Sequence, residues 1–204
     1  GKATERIFLA PIKMTMVPEI RDMDMPVEGV FHNLVITKIE KEYAGQGQKV
    51  MNAMWGAGQM MFNKILVIAD GNNRISDYLP LAQYISKNLN PATDIYFSTG
   101  PMDVLDHSCS KTGFGGKMCI DGTRKWDEEI LNEWRQESWA EGLKEATLQQ
   151  EFPEIRKANL SLLTKQISCI LLSVEKNRKG HIRSLHQQLY ERGWLRGIKL
   201  VLYV

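Results

Sequence analysis

The stretch "FHNLVITKIEKEYAGQGQKVMNAMWGAGQMMFNKILVIAD", residues 31–70, decides the fold. Residues 31–41 have the β-branched, apolar character of a buried strand. Gly45 then releases the chain into residues 46–62, where Val50, Met54, Ala57 and Met61 recur at helical spacing and Ala53 and Met60 widen the stripe. Residues 64–70, "KILVIAD", form a near-continuous apolar run, as in a strand covered on both faces. Strand, helix and strand in this order predict a β-α-β unit with a right-handed crossover.

Upstream, "RIFLAP" (residues 6–11) and "PEIRDMDM" (18–25) read as short strands stopped by proline. Downstream, "SDYLPLAQYISKN" (76–88) reads as a second helix, with Ser76 or Asp77 as N-cap and Pro80 tolerated near its start. "DIYFST" (94–99) is the next strand. The predicted fold class is α/β: a β-α-β-α-β layered parallel sheet with helices on its faces. Residues 100–125 read as a long irregular stretch with glycines at 100, 113, 115, 116 and 122, a length that in compact domains is usually either functional or disordered. A long helix is expected over about residues 127–149, with Ile130, Trp134 and Leu143 toward a core and Trp139 off that stripe, as on a docking surface.

An internal repeat organises the tail. Pro153-Glu154-Ile155-Arg156 repeats Pro18-Glu19-Ile20-Arg21 at an offset of 135. The same ungapped register pairs Glu40-Lys41 with Glu175-Lys176, Gly45 with Gly180, Gly58 with Gly193 and Lys64 with Lys199. Apolar positions follow, Met54 with Leu189 and Ile65-Leu66-Val67 with Leu200-Val201-Leu202. Residues 152–204 are therefore expected to be a degenerate second copy of the unit at 17–69, the alternative being two ordinary β-α-β units that look alike because all such units do. Residues 1–126 form the first domain in this reading, and 127–151 a connecting helix. The opening Gly1-Lys2 and the apolar strand running into Val204 read as cut edges of a longer protein.

The 204 residues carry 26 Lys+Arg against 24 Asp+Glu, a formal net charge of +2, and are 43% hydrophobic and 25% charged. This composition excludes intrinsic disorder and collagen-like fibres. A charge so near zero offers no bulk attraction for nucleic acid. No apolar run reaches the ~18–20 residues of a membrane span, and the opening residues do not read as a secretory leader. Cys109, Cys119 and Cys169 fit no CxxC spacing, which argues for a reducing cytoplasm and against a structural zinc site.

Candidate chemistry gathers in residues 100–126. "GFGGK" resembles a phosphate loop superficially, but Lys111 stands where the first glycine belongs and Met118 follows Lys117, so that reading fails and a turn is preferred. Asp103, Asp106 and His107 would permit acid–base work or metal binding by residue type; an Asp-rich loop capping its own turns is the simpler account. No local motif activates Cys109 or Cys119. Asp70-Gly71-Asn72-Asn73 follows a strand's carboxyl end, where open α/β sheets bind ligands, and is equally a plain turn. The methionines at 14–25 and 51–61 read as core filler, although Met-rich surfaces also bind partners.

Two blocks, "ERIFLAPIKMTMVPEIRDMDMPVEGVFHNLVITKIEKEYAGQGQKVMNAMWG" (residues 5–56) and "MDVLDH…GFGGKMCIDGTRKW" (102–126), resemble the C-terminal region of UbiD-type decarboxylases, the 3-polyprenyl-4-hydroxybenzoate carboxy-lyases and their relatives. The telling parts are Pro-x-Glu-Gly at 26–29, Tyr-Ala-Gly at 43–45, Leu105-Asp106, and Gly-Lys-Met-x-x-Asp-x-Thr at 116–123. The resemblance implies the C-terminal domain of an enzyme that removes carbon dioxide without oxidation from an aromatic acid, such as a (polyprenyl) 4-hydroxybenzoate of quinone biosynthesis. It implies prenylated FMN with a divalent metal and potassium as cofactors, held by an upstream flavin-binding domain that also carries the catalytic Arg and Glu residues. It implies that Met102, Asp103, Val104, Leu105 and Asp106 line the substrate pocket, shaping and closing it without moving protons. No catalytic residue or metal ligand is expected in this chain. The expected partners are the upstream domain and sister subunits in a homo-oligomer, with no nucleic acid and at most peripheral membrane association through a lipophilic substrate. Departures from the pattern are "DGNN" at 70–73, where relatives often carry a second acid, and "SLLTKQIS" at 161–168 in place of "PVEGVFHN", which suits a structural role for the second copy. The alternative is a non-catalytic α/β binding or oligomerisation module.

Overall fold

The computed structural model describes residues 2–30, 33–109, 111–130 and 137–204. They fall into two compact units, Gly1–Asn132 and Glu133–Val204. The first contains α1 (Lys2–Thr15), β1 (Ile20–Asp24), β2 (Leu34–Ile39), α2 (Gln46–Trp55), β3 (Ile65–Ala69), α3 (Tyr78–Asn88), β4 (Ile95–Pro101) and β5 (Phe114–Asp121). The second contains α4 (Glu145–Glu151), β6 (Ile155–Asn159), α5 (Ser161–Thr164), β7 (Cys169–Val174), α6 (His181–Glu191) and β8 (Leu200–Tyr203).

The first unit is a five-stranded sheet in the order β1-β2-β3-β5-β4. The β2-α2-β3 crossover is parallel, pairing Leu34 with Ile65 and Lys38 with Ala69. Its central strand, β3, also pairs in parallel with β5, Ile65 opposite Met118. β1 and β4 are antiparallel to their neighbours. The sheet is thus mixed, and the chain reaches β5 through a hairpin from β4. Val50, Met54 and Met60 are buried with Val35, Leu66, Ile68 and Cys119 in one core. Leu81 of α3 packs with Ile36, Ala69 and Ile75 in a smaller cluster.

Four expectations are corrected. Residues 6–11 lie inside α1: Phe8, Leu9 and Ile12 recur at helical spacing and pack on the core, while Ile7 faces solvent. Pro11 sits within this helix. Second, the parallel sheet is confined to β2, β3 and β5. Third, the stretch at 100–125 holds β5, whose apolar signature is hidden because Gly115 and Gly116 interrupt it and Lys117 and Asp121 occupy buried positions. Fourth, the long helix is not formed where it is described: 127–129 is a single tight turn, and α4 begins only at Glu145. Gly142 at φ 76° and an extended Lys144 break the helical path ahead of it. Ile130 is exposed, whereas Trp139 and Leu143 pack against the second unit's core. Trp134 lies outside the described residues, as do Phe31 and His32. Asp77 occupies the N-cap position of α3 without a side-chain cap bond.

The second unit is a three-stranded sheet, β6-β7-β8. Its strands β6 and β7 begin and end 135 positions after β1 and β2. The antiparallel register carries the same irregularity, between Ile20 and Asp22 in one unit and Ile155 and Lys157 in the other. Arg21 pairs with Glu40, and Arg156 with Glu175. Met54 and Leu189 are both fully buried at corresponding helix positions.

Met54→Ala and Leu189→Ala each empty a fully buried site, so each is expected to cost about 2–5 kcal/mol in denaturant unfolding. Losses below 1 kcal/mol would show that the two helices do not anchor their cores. Gly47→Ala is expected to be destabilising as well, because a Cβ there would lie 2.2 Å from Asp121 Oδ2.

Candidate functional site

The β4–β5 hairpin ends in a long connection, residues 102–113, whose base is closed by Pro101 opposite Phe114 and by the Met102 N–H donating to the Gly113 carbonyl at 3.0 Å. Met102 is 1% exposed and points into the domain. Gly115 permits this packing: a Cβ there would lie 2.7 Å from Cys109 Sγ and 3.3 Å from Met102 Cγ. The chain then turns tightly. Leu105 N–H donates to Asp103 Oδ1 at 2.8 Å, and Asp106 N–H to the Asp103 carbonyl at 3.0 Å.

Asp106 is the latch of the loop. Its Oδ2 accepts from Lys64 Nζ at 2.8 Å and from the Cys109 thiol at 3.3 Å. Its Oδ1 accepts from Ser108 N–H at 2.9 Å and Ser108 Oγ at 2.5 Å. Burial opposes ionisation of Asp106, but the hydrogen bonds from Lys64 and Ser108 outweigh it and hold the carboxyl well below the usual range. The Cys109 thiol is pushed up by desolvation and by its bond to Asp106, so it is a poor nucleophile. Between the buried Met102 and the latched Asp106, Val104 and Leu105 stand 70% and 68% exposed. The five candidate residues therefore divide: Met102 and Asp106 fix the loop, Asp103 shapes its turn, and Val104 and Leu105 form its apolar tip. His107 is exposed.

Lys117 of the "GFGGK" motif is buried, and its Nζ donates to the Met61 and Asn63 carbonyls at 2.5 Å each. It also lies 5.7 Å from the Trp55 ring centroid, and burial pushes its pKa down to about 8. The lysine closes the turn at Gly58–Phe62 and cradles no phosphate. Asp70 accepts from the Tyr84 hydroxyl at 2.7 Å and from Arg124 N–H at 3.1 Å, so its turn serves to tie α3 and the segment after β5 to the sheet.

A second polar cluster lies at the carboxyl end of the sheet, in a cleft of about 320 Å³ lined by Gly45, Asp94, Tyr96, Asp121, Lys125 and Glu129 among others. Lys125 Nζ stands 3.5 Å from Asp94 and 3.3 Å from Asp121. Lys41 Nζ donates to Glu129 Oε2 at 2.5 Å and to Thr123 Oγ1 at 3.0 Å. Burial, reinforced by the Asp121 and Asp94 charges, pushes the Tyr96 phenol up to about 12. Lys125 thus engages Asp94 and Asp121, and Lys41 engages Glu129, while Glu128 of the same cleft is exposed. Among the described residues no three His, Cys, Asp or Glu side chains are grouped to hold a metal ion.

Lys64 and Glu129 went unnoticed in the sequence. No local spacing links Lys64 to Asp106, 42 positions on, or Lys41 to Glu129, 88 positions on; only folding makes them neighbours.

Residues 1–122 match the family profile of the 3-octaprenyl-4-hydroxybenzoate carboxy-lyase C-terminal domain. An uncharacterised protein of Archaeoglobus fulgidus is 46% identical over 136 residues, covering 66% of this chain and 28% of its own length. One from Aquifex aeolicus is 43% identical over 135 residues, with the same two coverages of 66% and 28%. The chain thus spans under a third of these relatives. Among solved structures, the UbiD-class enzyme HmfF of Pelotomaculum thermopropionicum, in complex with FMN, superposes with a TM-score of 0.54 at 20% identity, covering 65% of this chain and 30% of that one. Vanillic acid decarboxylase of Sedimentibacter hydroxybenzoicus is similar in both its open form (TM-score 0.52, 22% identity, 76% and 31% covered) and its closed form (0.53, 22%, 69% and 29%). At these identities the structural likeness establishes a shared fold.

Because the Asp106 carboxyl is held below its unfolded value, the stability it contributes is fully present above about pH 4 and is lost as pH falls toward its folded pKa. Lys64→Met is expected to raise the Asp106 pKa, read by carboxyl-carbon NMR, and to shift that loss to higher pH. An unchanged Asp106 titration in the variant would show that Lys64 is not its latch.

Proposed function

This chain belongs to the family of 3-octaprenyl-4-hydroxybenzoate carboxy-lyase C-terminal domains, and from that premise we propose that it is the substrate-facing wall of a prenylated-FMN-dependent, non-oxidative decarboxylase. The substrate class is an aromatic acid, a (polyprenyl) 4-hydroxybenzoate of quinone biosynthesis being the example that the family description suggests. Loss of carboxylate leaves an electron pair on carbon that no protein side chain delocalises, and the flavin supplies that sink. The flavin, a divalent metal and potassium belong in this reading to the upstream domain.

The observation that carries the proposal is the apolar tip Val104-Leu105, held out to solvent by a buried Met102 on one side and the Lys64–Asp106 latch on the other. An exposed apolar pair is costly unless it meets a surface, and a rigidly anchored pair positions better than a loose one. Placed against a flavin domain, the tip would contact the ring of an aromatic acid and exclude water from it. The open and closed forms of vanillic acid decarboxylase support a moving wall of this kind. Subunit contacts in a homo-oligomer and a cytoplasmic setting complete the reading. No helix among the described residues is long and apolar enough to cross a membrane.

The test uses the full-length enzyme loaded with cofactor and a panel of aromatic acids that includes 4-hydroxybenzoate and its prenylated forms. Leu105→Ala is expected to lower kcat/KM about tenfold while flavin absorbance is retained. Unchanged kinetics in both Leu105→Ala and Val104→Ala would overturn the assignment of the tip. The 204 residues alone are expected to bind no flavin and release no carbon dioxide; a yellow, active preparation would overturn the division of labour.

A further inference from the structure

Lys117 is 4% exposed, and among the described residues no carboxylate stands within ion-pair distance of it. An ammonium buried without an acid is costly, and an apolar side chain would fill the inner face of a strand at less cost. Burial accordingly pushes its pKa down to about 8. Both of its hydrogen bonds go to backbone: Nζ donates to the Met61 and Asn63 carbonyls at 2.5 Å each, on either side of Phe62. The Trp55 ring closes over the same nitrogen, 5.7 Å from centroid to Nζ. Gly100 of β4 leaves room for the stem, since a Cβ there would lie 3.0 Å from Lys117 Cε.

The segment held in this way carries the latch of the loop. Asn63 adjoins Lys64, and the next residue of β5, Met118, donates its N–H to the Lys64 carbonyl at 2.9 Å. Lys117 and Met118 thus fix the carbonyls on both sides of the Lys64 Cα. From that fixed backbone Lys64 Nζ donates to Asp106 Oδ2 at 2.8 Å and to Ser108 Oγ. The same strand meets the loop directly at Gly115, which packs against Cys109 and Met102.

We propose that Lys117 is a positioning residue for the Val104-Leu105 tip: its buried ammonium fixes the segment from Met61 to Lys64 and, through Lys64, the Asp106 latch. The role in catalysis rests on the reading that the tip meets the substrate. The role in placing the loop stands on the contacts alone. A cation suits this task because charge-assisted bonds to two carbonyls are stronger and more directional than the packing of an apolar side chain.

Lys117→Met leaves two carbonyls without a donor and lowers stability as well, so the readout is the Asp106 carboxyl titration, followed by 13C NMR. Leu81→Ala is the control, because it destabilises the separate cluster under α3. Asp106 is expected to titrate at higher pH in Lys117→Met. Gly100→Ala keeps the charge but crowds the lysine stem, and is expected to give a smaller shift of the same sign. Leu81→Ala is expected to give none. In the full-length enzyme loaded with cofactor, Lys117→Met is expected to lower kcat/KM for the aromatic acid about tenfold. The loss is expected in kcat, with flavin absorbance retained. An Asp106 titration unmoved by Lys117→Met, or moved equally by Leu81→Ala, would overturn the proposal. So would unchanged kinetics in Lys117→Met where Leu105→Ala slows the enzyme. A moved titration with unchanged kinetics in both variants would support the placement of the loop and overturn the reading of the tip.

Discussion

The first unit depends on β3 being hydrogen-bonded along both edges. All five of its residues pair in parallel with β2, and Ile65 to Ile68 pair in parallel with β5, so its backbone finds partners on both edges. A parallel pair cannot be closed by a short turn, so the chain must leave the sheet and return. The β2–β3 step is made by α2, whose buried face of Val50, Met51 and Met54 covers one side of the sheet. The step to β5 is made differently: α3 carries the chain past the neighbouring position to the edge strand β4, and a hairpin brings it back. That detour suspends residues 102–113 at the end of two paired strands, which is what gives a loop of that length a rigid base.

The loop's chemistry follows from its anchorage. Asp106 spends its oxygens on Lys64, Ser108 and Cys109, and the bonds from Lys64 and Ser108 favour its ionised form. Met102 and the Asp106 contacts hold the loop from within, while Val104 and Leu105 face outward. In the cleft, Asp94 and Asp121 share Lys125 while Glu129 pairs with Lys41, and the Lys41–Glu129 pair binds the segment after β5 to the chain ahead of α2.

The second unit shows which parts of the β-α-β plan are structural and which are particular to the first. Strand bounds, the β1-type irregularity, the Arg–Glu pair and the left-handed glycine before the helix recur. The segment that in the first unit carries Pro-x-Glu-Gly becomes the short helix α5. What the second unit conserves is the set of contacts that its backbone needs.

Residues 31–70 were sufficient by themselves to determine the parallel β2-α2-β3 core, because period-2 and period-3.6 apolar patterns are local properties of the chain. The offset of 135 was equally legible, since glycines and apolar positions recur in one register. The motifs at 26–29, 43–45 and 116–123 were sufficient for the family. The nature of residues 6–11 was not, because a short apolar run suits a strand as well as the helix that the core selects for it. β5 was hidden because glycines and a buried lysine sit where apolar residues would announce a strand. The contacts that anchor the loop, and the capture of Glu129 at the start of α2, rest on groups far apart in sequence. Tertiary structure alone decided these, because hydrogen bonds and ion pairs depend on distances that only the folded sheet sets.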